Sequence, residues 1–217
     1  MILAAGRGSR MRALTDDRPK PLLEVRGRSL IAHQIARLRA AGFDDLVVNI
    51  GYHGELIRAQ LSDGAAHGVH IAYSVEPPQA YGTGGGILAA LPLLGDGPFL
   101  ALGADVWCDF PLEELHETPA RSDDLLHLVL VPNPDHHPAG DFALDGDRLR
   151  NDGATRLTFS GIGVYRPALF TGLAPGRFEL APLLRAAADD DRASAQLHDG
   201  VWRDIGTPER LAELAAG

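Results

Sequence analysis

The residues with the most chemistry in them come first. An apolar run, Met1-Ile2-Leu3-Ala4-Ala5, breaks into Gly6-Arg7-Gly8-Ser9-Arg10-Met11, with Thr15 and Pro19-Lys20-Pro21 close behind. A glycine-rich turn after a strand presents bare backbone N–H groups, and arginines beside it add positive charge, so this strand end suits the phosphates of a nucleoside triphosphate. The spacing excludes two other phosphate loops. A Walker loop needs Gly-x-x-x-x-Gly-Lys-Ser/Thr, and a dinucleotide fingerprint needs a third glycine where Met11 stands. Lys20 sharpens the reading, because it is the only lysine among 20 basic residues. A compact ammonium between two prolines, on a stiff loop, suits neutralisation of a phosphate oxygen during transfer.

Further along, Gly82-Thr83-Gly84-Gly85-Gly86 opens into a helical pattern through Ile87, Leu88 and Leu91, where glycines would let a ligand approach the backbone closely. The apolar stretch 98–102 leads to Gly103-Ala104-Asp105. An aspartate at the carboxyl end of a central strand, facing a phosphate site, is placed to hold magnesium. Asp141, between Gly140 and an apolar strand, is a candidate for hydrogen bonds to sugar hydroxyls. Ser160-Gly161 lies in a strand over 158–165 whose glycines permit close approach. Asp204 lies on the strand entering Gly206-Thr207-Pro208, where Thr207 caps the last helix and Pro208 starts it. His136 and His137 read as a solvated loop, since adjacent side chains diverge and no third ligand is evident. Asp189-Asp190-Asp191 reads the same way.

The run from Gly6 to Thr15, followed by Pro19-Lys20-Pro21, resembles the signature of the sugar-1-phosphate nucleotidyltransferases, Gly-x-Gly-Ser/Thr-Arg-Met/Leu-x-Pro-Leu-Thr and then Pro-Lys-Pro, with Ala13 in place of a proline. Gly82-Thr83-Gly84-Gly85 is similar to that family's Leu-Gly-Thr-Ala/Gly-Gly segment, with Tyr81 in place of the leucine. Trp202-Arg203-Asp204-Ile205-Gly206-Thr207-Pro208 is similar to its Trp-x-Asp-x-Gly-Thr-Pro. The resemblance implies a magnesium-dependent enzyme that joins a sugar 1-phosphate to a nucleoside triphosphate and releases pyrophosphate. It further implies nucleotide contacts from Ala4, Ala5, Gly6, Gly8, Ser9, Arg10, Lys20, Gly82 and Gly84, and sugar-phosphate contacts from Gly103, Asp141, Ser160 and Gly161. Asp105 and Asp204 would ligate the metal, Arg10 would hold the departing phosphates, and Lys20 the α-phosphate.

Within the family, Asp105-Val106-Trp107, Asn133-Pro134 with His136-His137, Gly140-Asp141-Phe142 and Leu180-Ala181-Pro182-Leu183-Leu184 look like the N-acetylmuramate α-1-phosphate uridylyltransferases of cell-wall recycling. This implies UTP and N-acetylmuramic acid 1-phosphate as substrates. A lactyl carboxylate on the sugar needs a cation or N–H donors, and Arg150, Arg156 and Arg203 are the candidates. The alternative is a guanylyl- or thymidylyltransferase for mannose, heptose or glucose 1-phosphate. Two other classes fit less of the pattern. A nicotinamide-dependent oxidoreductase lacks its third glycine here, and a non-catalytic nucleotide-sugar sensor would need neither Lys20 nor the two aspartates.

The elements that must position these residues show in the periodicity. Ser29 can cap a helix through Leu30, Ile31, Ile35 and Leu38 that stops at Gly42. Strands are expected over 45–50, 69–74 and 126–131, and helices around Leu56, Ile57 and Leu61 and from Phe178 onward. Strands alternating with helices imply an α/β three-layer sandwich with a mostly parallel, Rossmann-like central sheet of the nucleotide-diphospho-sugar transferase type, with ligands at the carboxyl ends of the strands. With 217 residues, a single nucleotidyltransferase domain over 1–217 is the simplest organisation. The net charge of −9 argues against nucleic acid or an anionic membrane as partner, yet the first 28 residues carry seven cations against three anions, a balance of +4. Cys108, the one cysteine, excludes an internal disulfide and a cysteine-based zinc site. The absence of a signal-like or membrane-length apolar run points to the cytoplasm, and a monomer or small homo-oligomer is expected. Since the chain opens directly on strand residues, a start a few residues upstream is expected.

Overall fold

A computed structural model describes residues 1–77, 81–118 and 121–216. The chain starts with β1 (Ile2–Leu3), then two 3-10 turns, Ser9–Thr15 and Lys20–Leu22, then the hairpin of β2 (Glu24–Val25) and β3 (Arg28–Ser29), and then α1 (Leu30–Ala40). Helical spacing puts Leu30, Ile31, Ile35 and Leu38 on one face of α1, each at most 1% exposed. Burying each contributes about 1.5–3 kcal/mol. Gly42 ends the helix with a left-handed φ of 82°, a conformation that costs a glycine little. Ser29 flanks the helix where expected but makes no side-chain cap; its hydroxyl instead accepts a hydrogen bond from Gln60 Nε2 at 3.1 Å.

Strand and helix then alternate through β4 (Asp45–Ile50), α2 (Gly54–Leu61), β5 (His70–Val75), α3 (Gly82–Leu94) and β6 (Phe99–Gly103). After β7 (Val106–Cys108) the chain turns strand-rich: β8 (Leu126–Val131), β9 (Phe142–Asp145), β10 (Arg148–Arg150), β11 (Arg156–Tyr165), α4 (Ala181–Asp189), β12 (Ala193–Leu197), β13 (Trp202–Asp204) and α5 (Pro208–Ala216). Thr207 begins α5 as expected, accepting from the Arg210 N–H at 3.5 Å.

Among the described residues, nine strands form one sheet in the order β5-β4-β1-β6-β11-β8-β12-β10-β9. The first four are mutually parallel, as the alternation predicts. β11 then enters antiparallel to both neighbours, and only the β8–β12 pair beyond it is parallel. The sheet is therefore parallel in its first half and mixed in its second, where the alternation of strand and helix stops. β11 also pairs at its start with β9, and a bulge between Phe159 and Gly163 lets one strand serve both neighbourhoods.

Successive strand residues face opposite sides, so Val48 and Leu102 pack under α1 and α2 while Val47 and Ala101 join α3 and α4 on the other face. These two cores make three layers. A smaller cluster of Met11, Leu23, Val25, Leu30, Ile205 and Leu214 ties the 9–15 turn to α5. Among the described residues, no helix is long and apolar enough to cross a membrane.

Candidate active site

The 9–15 turn folds around two buried residues. Met11 is fully buried, and its N–H donates to Gly8 O at 2.8 Å. The Thr15 hydroxyl lies 3.3 Å from Gly8 O and 3.2 Å from Arg12 O. Thr15 therefore closes the loop, which leaves Ser9 and Arg10 exposed on its outer side. Gly8 has φ 65°, and a Cβ there would sit 2.9 Å from Lys20 Cβ, so glycine serves both the turn and the close passage of the lysine stem. Tyr52 and His53, which no motif singles out, fasten the loop's far end. Tyr52 Oη lies 3.0 Å from Thr15 O and 3.1 Å from Asp16 O, and His53 Nε2 lies 3.1 Å from Asp16 O.

Lys20 is 8% exposed, and its Nζ donates to Asp105 Oδ2. The lone lysine and the first metal-ligand candidate thus meet directly. The second candidate arrives through the β7–β13 ladder, in which Asp204 is opposite Val106, and Ile205 N–H donates to Asp105 O at 2.9 Å. Asp204 Oδ2 accepts from Arg210 at 2.5 Å, and Oδ1 lies 3.1 Å from His136 Nε2. Glycines flank both carboxylates: a Cβ at Gly103 would lie 2.8 Å from Asp105 Oδ1, and one at Gly206 would lie 3.0 Å from Asp204 Oδ2 and 3.3 Å from Arg10 Nη1. Two carboxylates in glycine-lined clearings, each now held by a cationic side chain, suit a hard divalent cation.

A cavity of about 390 Å³ opens at the carboxyl ends of the parallel strands, where the fold class puts ligands. Six of the expected contact residues line it: Ala5, Gly6, Gly82, Gly103, Asp105 and Gly161. Gly6 faces open space, with nothing within 4 Å of a Cβ built there. Tyr165 also lines the cavity, and burial pushes its phenol well above the usual tyrosine range, so it stays neutral.

The remaining expected residues sit elsewhere, each for a physical reason. Ala4 donates its N–H to Asn49 Oδ1 at 2.6 Å, so that donor is already taken. Gly84 lies beneath Phe178, whose Cε2 would be 2.5 Å from a Cβ there, which makes its glycine a packing requirement. Ser160 is buried, and its Oγ accepts from Ile162 N–H at 3.1 Å inside the β11 bulge. Asp141 braces the same bulge, accepting from Phe159 N–H at 2.9 Å, while Phe159 lines the cavity. Of the three arginines, Arg150 is engaged by Asp191 at 2.8 Å, and Arg203 is exposed on β13 beside a second cavity of about 420 Å³ that includes His136 and Asp204. Arg156 lies beside Asp141, donating to its carbonyl at 2.6 Å, and its Nε is buried without a partner.

Three features depart from the sequence reading. His136 and His137 are not merely solvated: their side chains diverge as expected, but one reaches Asp204 and the other reaches Asp141 Oδ1 at 3.1 Å. Glu76 is buried at the cavity wall, accepting from Asn49 Nδ2 at 2.6 Å and Tyr81 N–H at 2.7 Å, which links the ends of β4 and β5 to the start of α3. Pro78 and Gln79, from the same stretch, lie outside the described residues. Cys108 falls within 4.8 Å of Asp109 and His198, a mixed donor cluster that counting cysteines does not anticipate.

Residues 1–143 match the nucleotidyl transferase family. Over its whole length the chain is 48% identical to an N-acetylmuramate alpha-1-phosphate uridylyltransferase of Neisseria meningitidis, of which it covers 96%. It is 37% identical over its whole length to the protein of the same name from Caulobacter vibrioides, covering 94% of it. A Bacillus anthracis protein described as a glucose-1-phosphate thymidylyltransferase, solved with sucrose, superposes with a TM-score of 0.88 over 99% of this chain and 92% of its own. At 21% identity that likeness speaks for the fold alone.

Proposed function

Since the chain belongs to the nucleotidyl transferase family, we propose that it transfers the uridylyl group of UTP to N-acetylmuramic acid α-1-phosphate, giving UDP-N-acetylmuramic acid and pyrophosphate. The observation that carries the reaction type is the meeting of Lys20 with Asp105 at the rim of a cavity walled by the Gly6 and Gly82 segments. The choice of substrates follows the two relatives that span this chain end to end. A nucleotide-activated muramic acid of this kind fits a role in peptidoglycan recycling in the cytoplasm.

A phosphate oxygen of the sugar 1-phosphate attacks the α-phosphorus of UTP in line. The new O–Pα bond forms as the Pα–O–Pβ bond breaks, and the leaving electron pair departs with pyrophosphate. No covalent enzyme intermediate is required, so the residues act by positioning and charge stabilisation. Lys20 turns from Asp105 toward the α-phosphate and the incoming phosphate, and Arg10, exposed on the loop, receives the β- and γ-phosphates. Gly6 offers its open backbone to the nucleotide. Asp105 and Asp204 would hold magnesium, which supplies charge neutralisation at the phosphates when bound. Arg156, which donates to Asp141 O and keeps a buried Nε without a partner, is the candidate for the lactyl carboxylate.

The test is a matrix of UTP, GTP, dTTP and ATP against N-acetylmuramic acid, mannose, heptose and glucose 1-phosphates with magnesium, scored by pyrophosphate release. UTP with the muramic acid derivative should give the highest kcat/KM. A preference for GTP with mannose or heptose 1-phosphate, or for dTTP with glucose 1-phosphate, would overturn the specificity while leaving the reaction type standing.

A further inference from the structure

The one cysteine belongs to a cluster that nucleotidyl transfer does not use. Cys108 ends β7, Asp109 follows it, and His198 follows β12. Donor atoms of the three lie within 4.8 Å of one another, and no other trio of potential ligands does so among the described residues. His198 Nε2 is 2.7 Å from Asp109 Oδ1, and Phe110 N–H donates to Cys108 Sγ at 3.4 Å, a contact that favours a thiolate. Gly200 keeps the spot open, since a Cβ there would lie 2.5 Å from His198 Cε1 and 2.6 Å from Asp109 Oδ1. Hydrogen bonding accounts for the His198–Asp109 pair but not for the thiol beside it.

We propose that Cys108, Asp109 and His198 bind a zinc-like divalent transition ion at a site separate from the Asp105–Asp204 pair. Thiolate sulfur, imidazole nitrogen and carboxylate oxygen suit zinc or cobalt(II), not magnesium, which takes oxygen donors. The two anionic ligands balance the ion's charge, and the exposed side of Asp109 leaves a fourth position for water. Binding replaces the thiol proton, which goes to solvent, and forms the metal–sulfur bond with no change of oxidation state. Without an ion the thiol is a poor nucleophile, because burial raises its pKa more than the Phe110 N–H and the nearby Arg37 lower it. The site lies at the end of the β7–β13 ladder remote from Asp105 and Asp204, where Asp109 N–H donates to Val201 O at 3.0 Å. An ion there would tie the 198–200 turn to β7.

The test is titration of the metal-free full-length protein with cobalt(II) alone. The wild type should bind one equivalent with a thiolate-to-cobalt charge-transfer band in the near ultraviolet, and zinc should bleach it. Cys108→Ser and His198→Gln, the latter at a half-buried position against Phe110, should each abolish the band, whereas Asp105→Asn should keep it. A hundredfold excess of zinc over its Kd should raise the wild-type Tm by about 5 °C or more and leave His198→Gln unmoved. Absence of the band in the wild type overturns the site, as does its persistence in Cys108→Ser or His198→Gln. Circular dichroism of the folded variants separates loss of ligand from loss of fold.

Discussion

Replacing Lys20 with methionine isolates its charge. The lysine stem packs against Gly8, with Cδ 3.2 Å from the position of a Cβ there, and methionine fills much the same space. The change therefore removes the ammonium and little packing. In the resting protein it deletes one ion pair between a buried lysine and Asp105, whose side chain is 38% exposed; screening on the aspartate side and the desolvation cost of the ammonium leave a net contribution of about 0–1 kcal/mol. For a chain of this length that is a Tm change of roughly 4 °C at most. In the transition state the same ammonium faces charge developing at the α-phosphate from an almost fully buried position. Loss of one such preorganised donor costs about 10²–10³ in kcat, or about 2.7–4 kcal/mol. Steady-state pyrophosphate release and thermal unfolding of the same preparation should show a kcat loss of at least about 10² with a Tm near wild type. A kcat within threefold of wild type would refute the role, and a collapse in Tm matching the lost activity would refute the separation of charge from packing.

Asp105→Asn and Asp204→Asn should each remove magnesium-dependent activity, and the double variant should be hardly worse than either single, because both serve one ion; strictly multiplicative losses would show that they act apart. Gly84→Ala should cost about 1–3 kcal/mol by driving a methyl into Phe178, with Phe178→Leu restoring stability and the KM for UTP unchanged. A raised KM at normal stability would instead return Gly84 to the nucleotide site. Burial lowers the pKa of His127, which lies between Ser194 Oγ and Gln196 Oε1 at 2.9 Å each. Unfolding then takes up a proton below about pH 6.5, so its contribution is whole above that pH and declines as pH falls. Stability measured from pH 8 to pH 5 should fall less steeply in His127→Gln than in wild type, and parallel curves would rule out this origin.

Local signals in the chain identify what is local in the structure. The α1 stripe, the stop at Gly42, the Thr207-Pro208 helix start and the parallel strands β1, β4, β5 and β6 all follow from spacing within a few residues, whereas the β2–β3 hairpin does not. Lys20 stands out by its rarity, and its contact with Asp105 follows once the strand ends are placed. The second half of the sheet is harder to read, since β10 is three residues long and β12 is Ala-Ser-Ala-Gln-Leu, too short and mixed to announce a strand. Gly84 shows one residue type answering two demands, ligand approach and close packing against Phe178, which the sequence alone does not separate. His136 and His137 diverge as geometry requires, but the carboxylates they reach are more than 60 positions away in one case and four in the other. Cys108, Asp109 and His198 meet only through tertiary folding.

The central claim is that the chain makes a nucleoside diphosphate sugar by direct transfer from UTP. Phosphorus NMR of the protein with UTP, N-acetylmuramic acid 1-phosphate and magnesium tests it most directly. The sugar monophosphate and UTP signals should fall together, replaced in equal amounts by the coupled pair of a diphosphate diester and by pyrophosphate, and Lys20→Met should slow all four changes alike. Unchanged UTP, or UTP loss without a new diester pair, would contradict the account.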